Sequence, residues 1–157
     1  MKLHVLECEM LAPVAVRDAF EVFEDPRNLA KITPPWLNFR IVTPGRIEMR
    51  KGAEIDYEIR WAGIPIKWKT LISEYEPPFF FVDEQVRGPY RHWRHRHTFR
   101  PTEGGTVVAD RVEYALPLGW IGRIVHALAV RRQLRQIFAY RQEVLSEMMR
   151  SSSVLRG

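Results

Sequence analysis

The sequence lacks several patterns that would point to particular functions. Cys8 is the single cysteine among 157 residues, so an internal disulfide and a cluster of thiolate metal ligands are both excluded. No apolar run approaches the roughly 20 residues that a membrane-spanning helix needs. Glycine-rich phosphate loops are also missing, because Gly104-Gly105 has the form of a hairpin turn. No nucleophile elbow surrounds a serine or the cysteine, so nothing supports nucleophilic hydrolysis.

The composition indicates a globular protein, with 46% hydrophobic and 27% charged residues. We expect a single domain over residues 1–150, followed by a flexible tail over 151–157, since the sequence SSSVLRG is mostly small and polar. The N-terminal sequence MKLHVLECEML has no continuous apolar centre, because Glu7 and Glu9 interrupt it. It therefore does not resemble a signal peptide, and we expect a cytoplasmic protein.

The formal net charge of +5 raises the possibility of a nucleic acid or an anionic membrane surface as partner. However, the arginines alternate with core-type residues, which is typical of a solvated basic face. Recognition of RNA would require exposed aromatic residues interleaved with those arginines. We expect no nucleic-acid partner, and a basic surface that binds nucleic acid or a membrane surface remains a second alternative.

The order of elements predicts an α+β fold. A first strand over Leu3 to Leu11 is followed by two short helices, Val14 to Phe23 and Arg27 to Ile32. Alternating apolar and polar residues then predict antiparallel strands up to Leu116. A helix of about 30 residues, from Trp120 to Met149, would cross the sheet. Its predicted inner stripe is Ile124, Ala127, Leu128, Leu134, Ile137, Phe138, Leu145 and Met148.

Two hairpin turns fix the predicted pairing of strands. Ala62-Gly63 would place Trp61 opposite Ile64 and, further along, Tyr57 opposite Trp68. The second hairpin, around Gly104-Gly105, sets the pairs Pro101–Thr106, Phe99–Val108, His97–Asp110, His95–Val112 and Trp93–Tyr114. For the strand that contains Asp83 and Gln85, the face depends on a turn whose length the sequence does not fix.

The second hairpin separates two kinds of side chain. Trp93, His95, His97 and Phe99 share one face, whereas Arg94, Arg96 and Arg100 share the other. The aromatic face should therefore point inward and the arginine face outward. Asp110 and Tyr114 join the inner face through the predicted pairing. Imidazole, carboxylate and phenol groups on one inner surface suggest a pocket, because a plain core needs no such mixture.

Several segments together resemble the SRPBCC superfamily of Bet v 1-like and START-like proteins, and among them the small bacterial members described as polyketide cyclase-like or ligand-binding. The matching segments, which cover most of the chain, are ITPPW at 32–36, IDYEIRWAGIPIKWKT at 55–70, EYEPPFFFVDEQVRGPYRHWRHRHTF at 74–99 and GGTVVADRVEYALPLG at 104–119. The resemblance implies a helix-grip fold, in which a curved antiparallel sheet of about seven strands wraps around a long C-terminal helix, with two short helices after strand 1.

The resemblance also implies a cavity between sheet and helix that binds a hydrophobic or amphipathic small molecule, including lipids. Many aromatic residues on the inner face fit such a cavity. A tightly packed core without a cavity is the alternative. The expected ligand-binding residues are Tyr57, Trp68, Phe81, Trp93, His95, His97, Phe99, Tyr114, Leu134 and Phe138. The oligomeric state is not determined by the sequence.

An enzyme of the cyclase, dehydratase or isomerase type is the main alternative, with His97, Asp110 and Tyr114 as candidate catalytic residues. A carboxylate facing His97 would orient its ring and favour its cationic form. His95, His97 and Asp110 could also form a two-histidine, one-carboxylate metal site. We expect neither a metal nor another cofactor, because two histidines separated by one residue occur often by chance. The balance favours a binding protein over an enzyme.

Overall fold

Seven strands form the body of the protein in the computed structural model, which describes the backbone of residues 1–156 and the side chains of residues 1–151. The strands are β1 (His4–Ala12), β2 (Arg40–Ile41), β3 (Glu54–Trp61), β4 (Ile64–Glu76), β5 (Phe80–Arg87), β6 (His92–Thr102) and β7 (Gly105–Ala115). They build one antiparallel sheet in the order β1-β7-β6-β5-β4-β3-β2. Strands that follow one another in the chain from β2 to β7 therefore pair with each other. Strand β1 pairs with β7 and forms the sheet edge opposite to β2.

Helices cover the inner face of this sheet. The helices α1 (Val16–Glu24) and α2 (Pro26–Ile32) follow β1, and a short 3-10 turn spans Pro35–Leu37. The Asp25 carboxylate caps α2 by accepting a hydrogen bond from the Arg27 backbone N–H at 3.0 Å, and Pro26 fits the first helical position. The C-terminal helix completes the helix-grip arrangement, so the predicted fold is confirmed. None of the helices in the described part of the chain has the length and apolar character to cross a membrane.

Both predicted hairpin registers are confirmed. Trp61 pairs with Ile64 and Tyr57 with Trp68, while His97 pairs with Asp110. At the start of β7, Gly105 has a φ of 144° and lies so close to β1 that a Cβ atom would stand 2.0 Å from the Ala12 carbonyl oxygen. The second hairpin thus requires glycine at this position for both its backbone conformation and its packing.

The C-terminal helix differs from the prediction in its first half. It consists of α3 (Gly119–Val125), a π turn (His126–Val130) and α4 (Arg131–Arg156). Three residues predicted to face the sheet are exposed instead: Ile124, Ala127 and Leu128. The buried residues of this segment are Gly122, His126 and Val130. A π turn takes up more residues than an α turn, so it shifts the buried face by about one position relative to α4.

The end of α4 also departs from the sequence-based boundaries. The helix continues to Arg156, beyond the predicted end at Met149, because nothing in the sequence 150–156 breaks a helix. The predicted tail over 151–157 therefore begins inside a helix, and its flexibility stays a prediction. Gly157 lies outside the described residues.

The arginine face of β6 points outward as expected, but two of its members are half-buried. Arg94 donates a hydrogen bond to Glu74 at 2.6 Å and lies 3.3 Å from a Glu84 oxygen. Arg96 also contacts Glu74, whereas Arg100 is exposed. Carboxylates on β4 and β5 therefore balance much of this positive charge.

Two clusters of buried side chains stabilise the sheet-helix interface. One joins α1, α2, the turn-side ends of β6 and β7, and the C-terminal part of α4: Ala12, Ala19, Phe20, Phe23, Ile32, Phe81, Phe99, Val108, Leu145 and Met149. The other joins the opposite end of β7 to the first turns of α4: Val112, Tyr114, Val130, Leu134 and Phe138. Both clusters contribute side chains to the wall of the cavity described next.

Candidate ligand cavity and its polar cluster

A cavity of about 410 Å³ lies between the sheet and the C-terminal helix. Its wall is mostly aliphatic and aromatic, with contributions from the strands β3 to β6, from α1 and α2, and from both halves of the terminal helix. Most residues predicted to bind a ligand lie on this wall: Tyr57, Trp68, Phe81, Trp93, His95, His97, Leu134 and Phe138. The volume is in the range of small-molecule sites in proteins. The interior is therefore not tightly packed throughout.

The prediction that Phe99 and Tyr114 line the cavity is wrong. Both have the inward parity, but other elements cover them before the cavity begins. Phe99 packs against the rings of Phe20 and Phe23 on α1, at 5.1 and 5.3 Å between centroids. Tyr114 is buried, and its hydroxyl shares a hydrogen bond of 2.6 Å with His126 Nε2. Strand parity selects the face of the sheet, whereas the helices decide which part of that face stays open.

Four polar residues form a connected cluster at the cavity wall: Asp83, His95, His97 and Asp110. His95 Nε2 lies 2.8 Å from Asp110 Oδ1, and His97 Nε2 lies 2.7 Å from Asp83 Oδ2. These hydrogen bonds run diagonally, because the strand register pairs His97 with Asp110 and His95 with Asp83. The predicted neighbours His97 and Asp110 are close, with 3.1 Å between Nδ1 and Oδ1, but the angle does not make a hydrogen bond.

The two carboxylates of this polar cluster have different positions. Asp83 keeps 18% of its side chain accessible, whereas Asp110 keeps 6%. Since Asp83 lines the cavity and Asp110 does not, Asp83 can contact a bound molecule, and Asp110 supports the two imidazole rings from behind. Asp110 therefore lies where the prediction placed a carboxylate that orients His97, and it also contacts His95. Its part in catalysis stays a prediction.

The ionisation of the cluster follows from competing effects. Burial would raise the pKa of Asp110, but the hydrogen bond from His95 and the proximity of His97 and Arg141 hold that pKa well below its usual value. Burial likewise opposes ionisation of Asp83, but the electrostatic interaction with the two neighbouring imidazoles and the hydrogen bond from His97 outweigh it and lower its pKa. Both carboxyl groups are therefore anionic at neutral pH.

The two imidazoles respond in opposite directions. Burial and the charge of His97 lower the pKa of His95, despite the two nearby carboxylates. For His97 burial also disfavours the charge, but the contacts with Asp110 and Asp83 prevail and raise its pKa. The cluster therefore favours a proton on His97 and a neutral ring at His95. A cationic imidazole on a cavity wall can donate a hydrogen bond or a proton to a bound oxygen.

The same groups contain a possible metal-ligand set. Asp83, His95 and His97 each offer one ligand atom, and these atoms lie within 4.8 Å of one another. Asp110 contacts both rings from the side away from the cavity, and in many histidine metal sites such a carboxylate orients the ligating imidazoles. A divalent ion would have to displace the proton of His97 and its hydrogen bond to Asp83. The set differs from the predicted one by Asp83 in place of Asp110, and the expectation that no metal binds stays a prediction.

Asp83 and Arg141 line the cavity, although neither was predicted from the sequence as a cavity residue. Asp83 alternates with Phe81, a predicted cavity residue, so the shared parity could have placed it inside. Arg141 occupies an apolar-stripe position of α4, seven residues after Leu134 and three after Phe138, and it lines the cavity. The i, i+4, i+7 spacing on one helix face could therefore have identified it.

The turn between β5 and β6 depends on Gln85. Its side-chain amide donates to the Tyr90 carbonyl oxygen at 2.7 Å, and its amide oxygen accepts from the Tyr90 backbone N–H at 3.1 Å. Gly88 lies directly against this amide, since a Cβ there would stand 2.5 Å from the Gln85 Oε1 atom. This packing fixes the turn and places Tyr90 on the cavity wall beside Trp93.

Comparisons with known proteins agree with this architecture. Residues 12–138 match the family model for polyketide cyclase/dehydrase and lipid transport proteins. Among curated proteins, none matches the sequence.

Solved structures with the same fold include TTHA0849 from Thermus thermophilus, which has a TM-score of 0.76 at 14% identity and aligns over 96% of this chain and 99% of that one. The di-domain ARO/CYC protein StfQ of the steffimycin biosynthetic pathway has a TM-score of 0.73 at 15% identity, over 96% of this chain and 52% of its own. Norcoclaurine synthase from Thalictrum flavum aligns with a TM-score of 0.69 at 15% identity, over 97% of both chains. At these identities the structural matches show the fold alone. Because the family model covers most of the sequence, the chain belongs to the polyketide cyclase/dehydrase and lipid transport family.

Proposed function

We propose that the protein binds a hydrophobic or amphipathic small molecule in the cavity between the sheet and the C-terminal helix. The observation that carries this proposal is an apolar cavity of about 410 Å³ whose wall includes polar atoms without a protein partner. Trp68 Nε1 and Arg141 Nε are both buried without a hydrogen-bond acceptor among the described residues. Such groups are costly in a folded protein unless something else satisfies them, and a ligand with an apolar body and polar atoms would do so.

Two measurements test the proposal. Native mass spectrometry of the gently purified protein should detect a co-purifying small molecule. Titration with Nile red, a neutral dye that fluoresces in apolar surroundings, should give saturable binding to the native protein. A competing apolar ligand should displace the dye, because both occupy the same cavity.

A pair of tryptophan substitutions locates the binding site. Ile137 lines the cavity from α4, so Ile137→Trp should fill part of it and weaken Nile red binding by about tenfold or more. Ile124 is exposed on α3 and does not line the cavity, so Ile124→Trp should leave the affinity unchanged. Equal dye binding by both variants and the wild type would show that the cavity is not the site.

A second candidate function is cofactor-free acid–base catalysis on the bound molecule. His97 supports it, because the carboxylates of Asp83 and Asp110 raise its pKa while the ring remains on the cavity wall. His97 could give its proton to a ligand oxygen and recover it from solvent, with Asp83 compensating the charge. Tyr114, the third predicted catalytic residue, is separated from the cavity and bonded to His126. Two proteins with this fold, norcoclaurine synthase and the ARO/CYC protein StfQ, carry enzyme names.

Catalysis and simple binding give different results in deuterated water. If His97 protonates a carbonyl oxygen of the ligand while the Asp83 carboxylate removes a proton from the adjacent carbon, the enol that forms takes up deuterium when it reverts. The co-purified ligand should then gain mass during incubation of the complex, and His97→Asn should abolish this gain while Nile red binding persists. A mass that stays constant with the wild-type protein would count against proton abstraction. The cytoplasmic location predicted from the N-terminal sequence belongs to the proposal as well, and fractionation of cells tests it.

A further inference from the structure

Arg141 is the cation of the cavity wall that the protein itself leaves unpaired. Its Nε atom is buried, and the described residues offer it neither a hydrogen-bond acceptor nor a carboxylate within 4.0 Å. By contrast, Arg94 on the outer face of the sheet contacts two glutamates. A guanidinium group in an apolar cavity loses hydration, so it is costly without an anionic partner.

Aromatic rings hold this guanidinium at the wall. Its central carbon lies 5.6 Å from the Phe23 ring centroid and 5.8 Å from that of Phe138, within the range of cation–π contacts. The charge of Arg141 acts on the Asp83 and Asp110 carboxylates over a distance beyond ion-pair contact, and these two groups accept hydrogen bonds from His97 and His95. Arg141 thus keeps its donors free for a molecule inside the cavity, beside a largely apolar wall.

We infer that the ligand carries a carboxylate, which Arg141 binds while the apolar part of the molecule fills the cavity. This inference rests on the proposed function and specifies the class of its ligand as an amphipathic organic acid. A planar carboxylate matches the fork of N–H donors of a guanidinium group and can accept two parallel hydrogen bonds.

Three probes of nearly identical shape test the charge preference: 2-naphthoate, 2-naphthalenemethanol and 2-naphthylmethylammonium. Isothermal titration of the wild-type protein at neutral pH should give the tightest binding for the carboxylate, about ten- to hundredfold tighter than for the alcohol, as expected for charge-assisted hydrogen bonds. The ammonium probe should bind weakest. This comparison needs no variant, so it does not depend on whether a substitution disturbs folding.

Variants then assign the preference to Arg141. Arg141→Met keeps an unbranched apolar stem and should remove the advantage of the carboxylate over the alcohol, while Arg141→Lys should retain part of it. Arg132→Met is the matched control, because Arg132 is exposed on the same helix and does not line the cavity. That control should bind all three probes as the wild type does.

Specific results would overturn the inference. If the alcohol binds as tightly as the carboxylate, or if Arg141→Met preserves the full difference, Arg141 does not anchor an acid. The proposed function survives in both cases, provided that Nile red still binds. If neither the probes nor Nile red bind, the cavity is not a ligand site, and the proposed function and this inference fall together.

An exposed apolar segment at the cavity mouth carries a second, independent inference. Six large apolar residues between positions 118 and 128 are from 41% to 76% exposed: Leu118, Trp120, Ile121, Ile124, Val125 and Leu128. Leu118 and Val125 also line the cavity. Exposed apolar surface of this density usually marks an interaction site.

The charge around this segment identifies the partner. No aspartate or glutamate occurs between Glu113 and Glu143, whereas Arg123, Arg131 and Arg132 are exposed within or just after the segment. An apolar face with basic residues beside it is typical of helices that lie on anionic lipid surfaces. We propose that residues 118–128 dock onto an anionic lipid bilayer, with the cavity mouth facing the membrane.

Vesicle co-sedimentation tests this docking. The protein should bind vesicles that contain phosphatidylglycerol, bind phosphatidylcholine vesicles at least about tenfold more weakly, and dissociate as the salt concentration rises. A double variant, Trp120→Ser with Leu128→Ser, should lose this binding. Trp36→Ser is the matched control, because Trp36 is 58% exposed but lies outside the segment. Absence of vesicle binding would refute the membrane as the partner of this face. So would a concentration-dependent dimer of the wild type that the double variant abolishes and the Trp36→Ser control retains, because the segment would then bind a second copy of the chain.

Discussion

Replacing Asp110 by asparagine tests the polar cluster most directly. Asp110 is 6% accessible, and one of its oxygens lies 2.8 Å from His95 Nε2 and 3.1 Å from His97 Nδ1. Asp110→Asn removes a charge from this buried group and leaves the cationic His97 with Asp83 alone. Removing one partner of a buried ion pair typically costs about 3–5 kcal/mol. We expect a loss of that size in the free energy of unfolding at about pH 6, where His97 is protonated.

The loss should depend on pH with a definite sign. The raised pKa of His97 means that its charged form stabilises the folded state fully below its unfolded pKa of about 6.5, and that this contribution disappears as the pH rises through the folded value. Above that value the variant lacks only the hydrogen bond from the neutral His95 ring, so the cost should fall to about 1–3 kcal/mol at alkaline pH. Both carboxyl groups of the wild type are ionised throughout this range, because their pKa values are lowered.

Urea denaturation of wild type and variant at the two pH values measures both costs. Asp56→Asn is the control, since Asp56 makes ion pairs with Lys69 and Arg87 on the outer face and is 36% accessible. Such pairs contribute about 0–1 kcal/mol. A cost for Asp110→Asn that equals the control, or one that does not change between the two pH values, would refute the charge assignment in the cluster.

Three further outcomes are expected from the packing. Gly105→Ala should destabilise the protein by more than about 3 kcal/mol, because its Cβ would overlap β1, whereas Gly104→Ala meets open space and should cost about 1 kcal/mol for its positive φ; thermal unfolding compares the two. Tyr114→Phe should cost about 1 kcal/mol, from the lost hydrogen bond to His126, and leave Nile red affinity unchanged, so weaker dye binding would contradict its separation from the cavity. Burial raises the pKa of Cys8 to about 12, so its thiol should react slowly with a disulfide reagent at pH 8 in the native state and rapidly in urea; equal rates would contradict its burial.

Local pattern was sufficient for the parts of the fold in which neighbouring residues determine one another. The Ala62-Gly63 and Gly104-Gly105 turns fix the hairpin registers, because a short turn leaves no freedom in how the following residues pair. Alternation of side chains then sets which residues share the inner face, including His95 and His97. The resemblance of long segments to a known superfamily supplied the relation between sheet and terminal helix, and with it the expectation of a cavity.

Contacts between distant elements decided the remaining features. Phe99 has the parity of a cavity residue, but α1 covers it, and that packing cannot be inferred from one strand. The π turn before Arg131 shifts the buried face of the helix, and no residue type within the turn predicts it from the sequence. Asp83 enters the polar cluster only because the turn held by Gln85 brings β5 into register with β6.

The sequence by itself therefore determined the strand registers and the inward position of both histidines, since these follow from backbone periodicity and turn geometry. Its resemblance to a known superfamily implied the arrangement of the sheet around the terminal helix. The tertiary structure alone decided the chemistry of the site. There Asp83 accepts a hydrogen bond from His97, and Asp110 accepts one from His95. Arg141 Nε remains without a hydrogen-bond acceptor among the described residues. The physical reason is that hydrogen bonds and charge interactions depend on side-chain distances across three or more elements, which periodicity within one element does not specify.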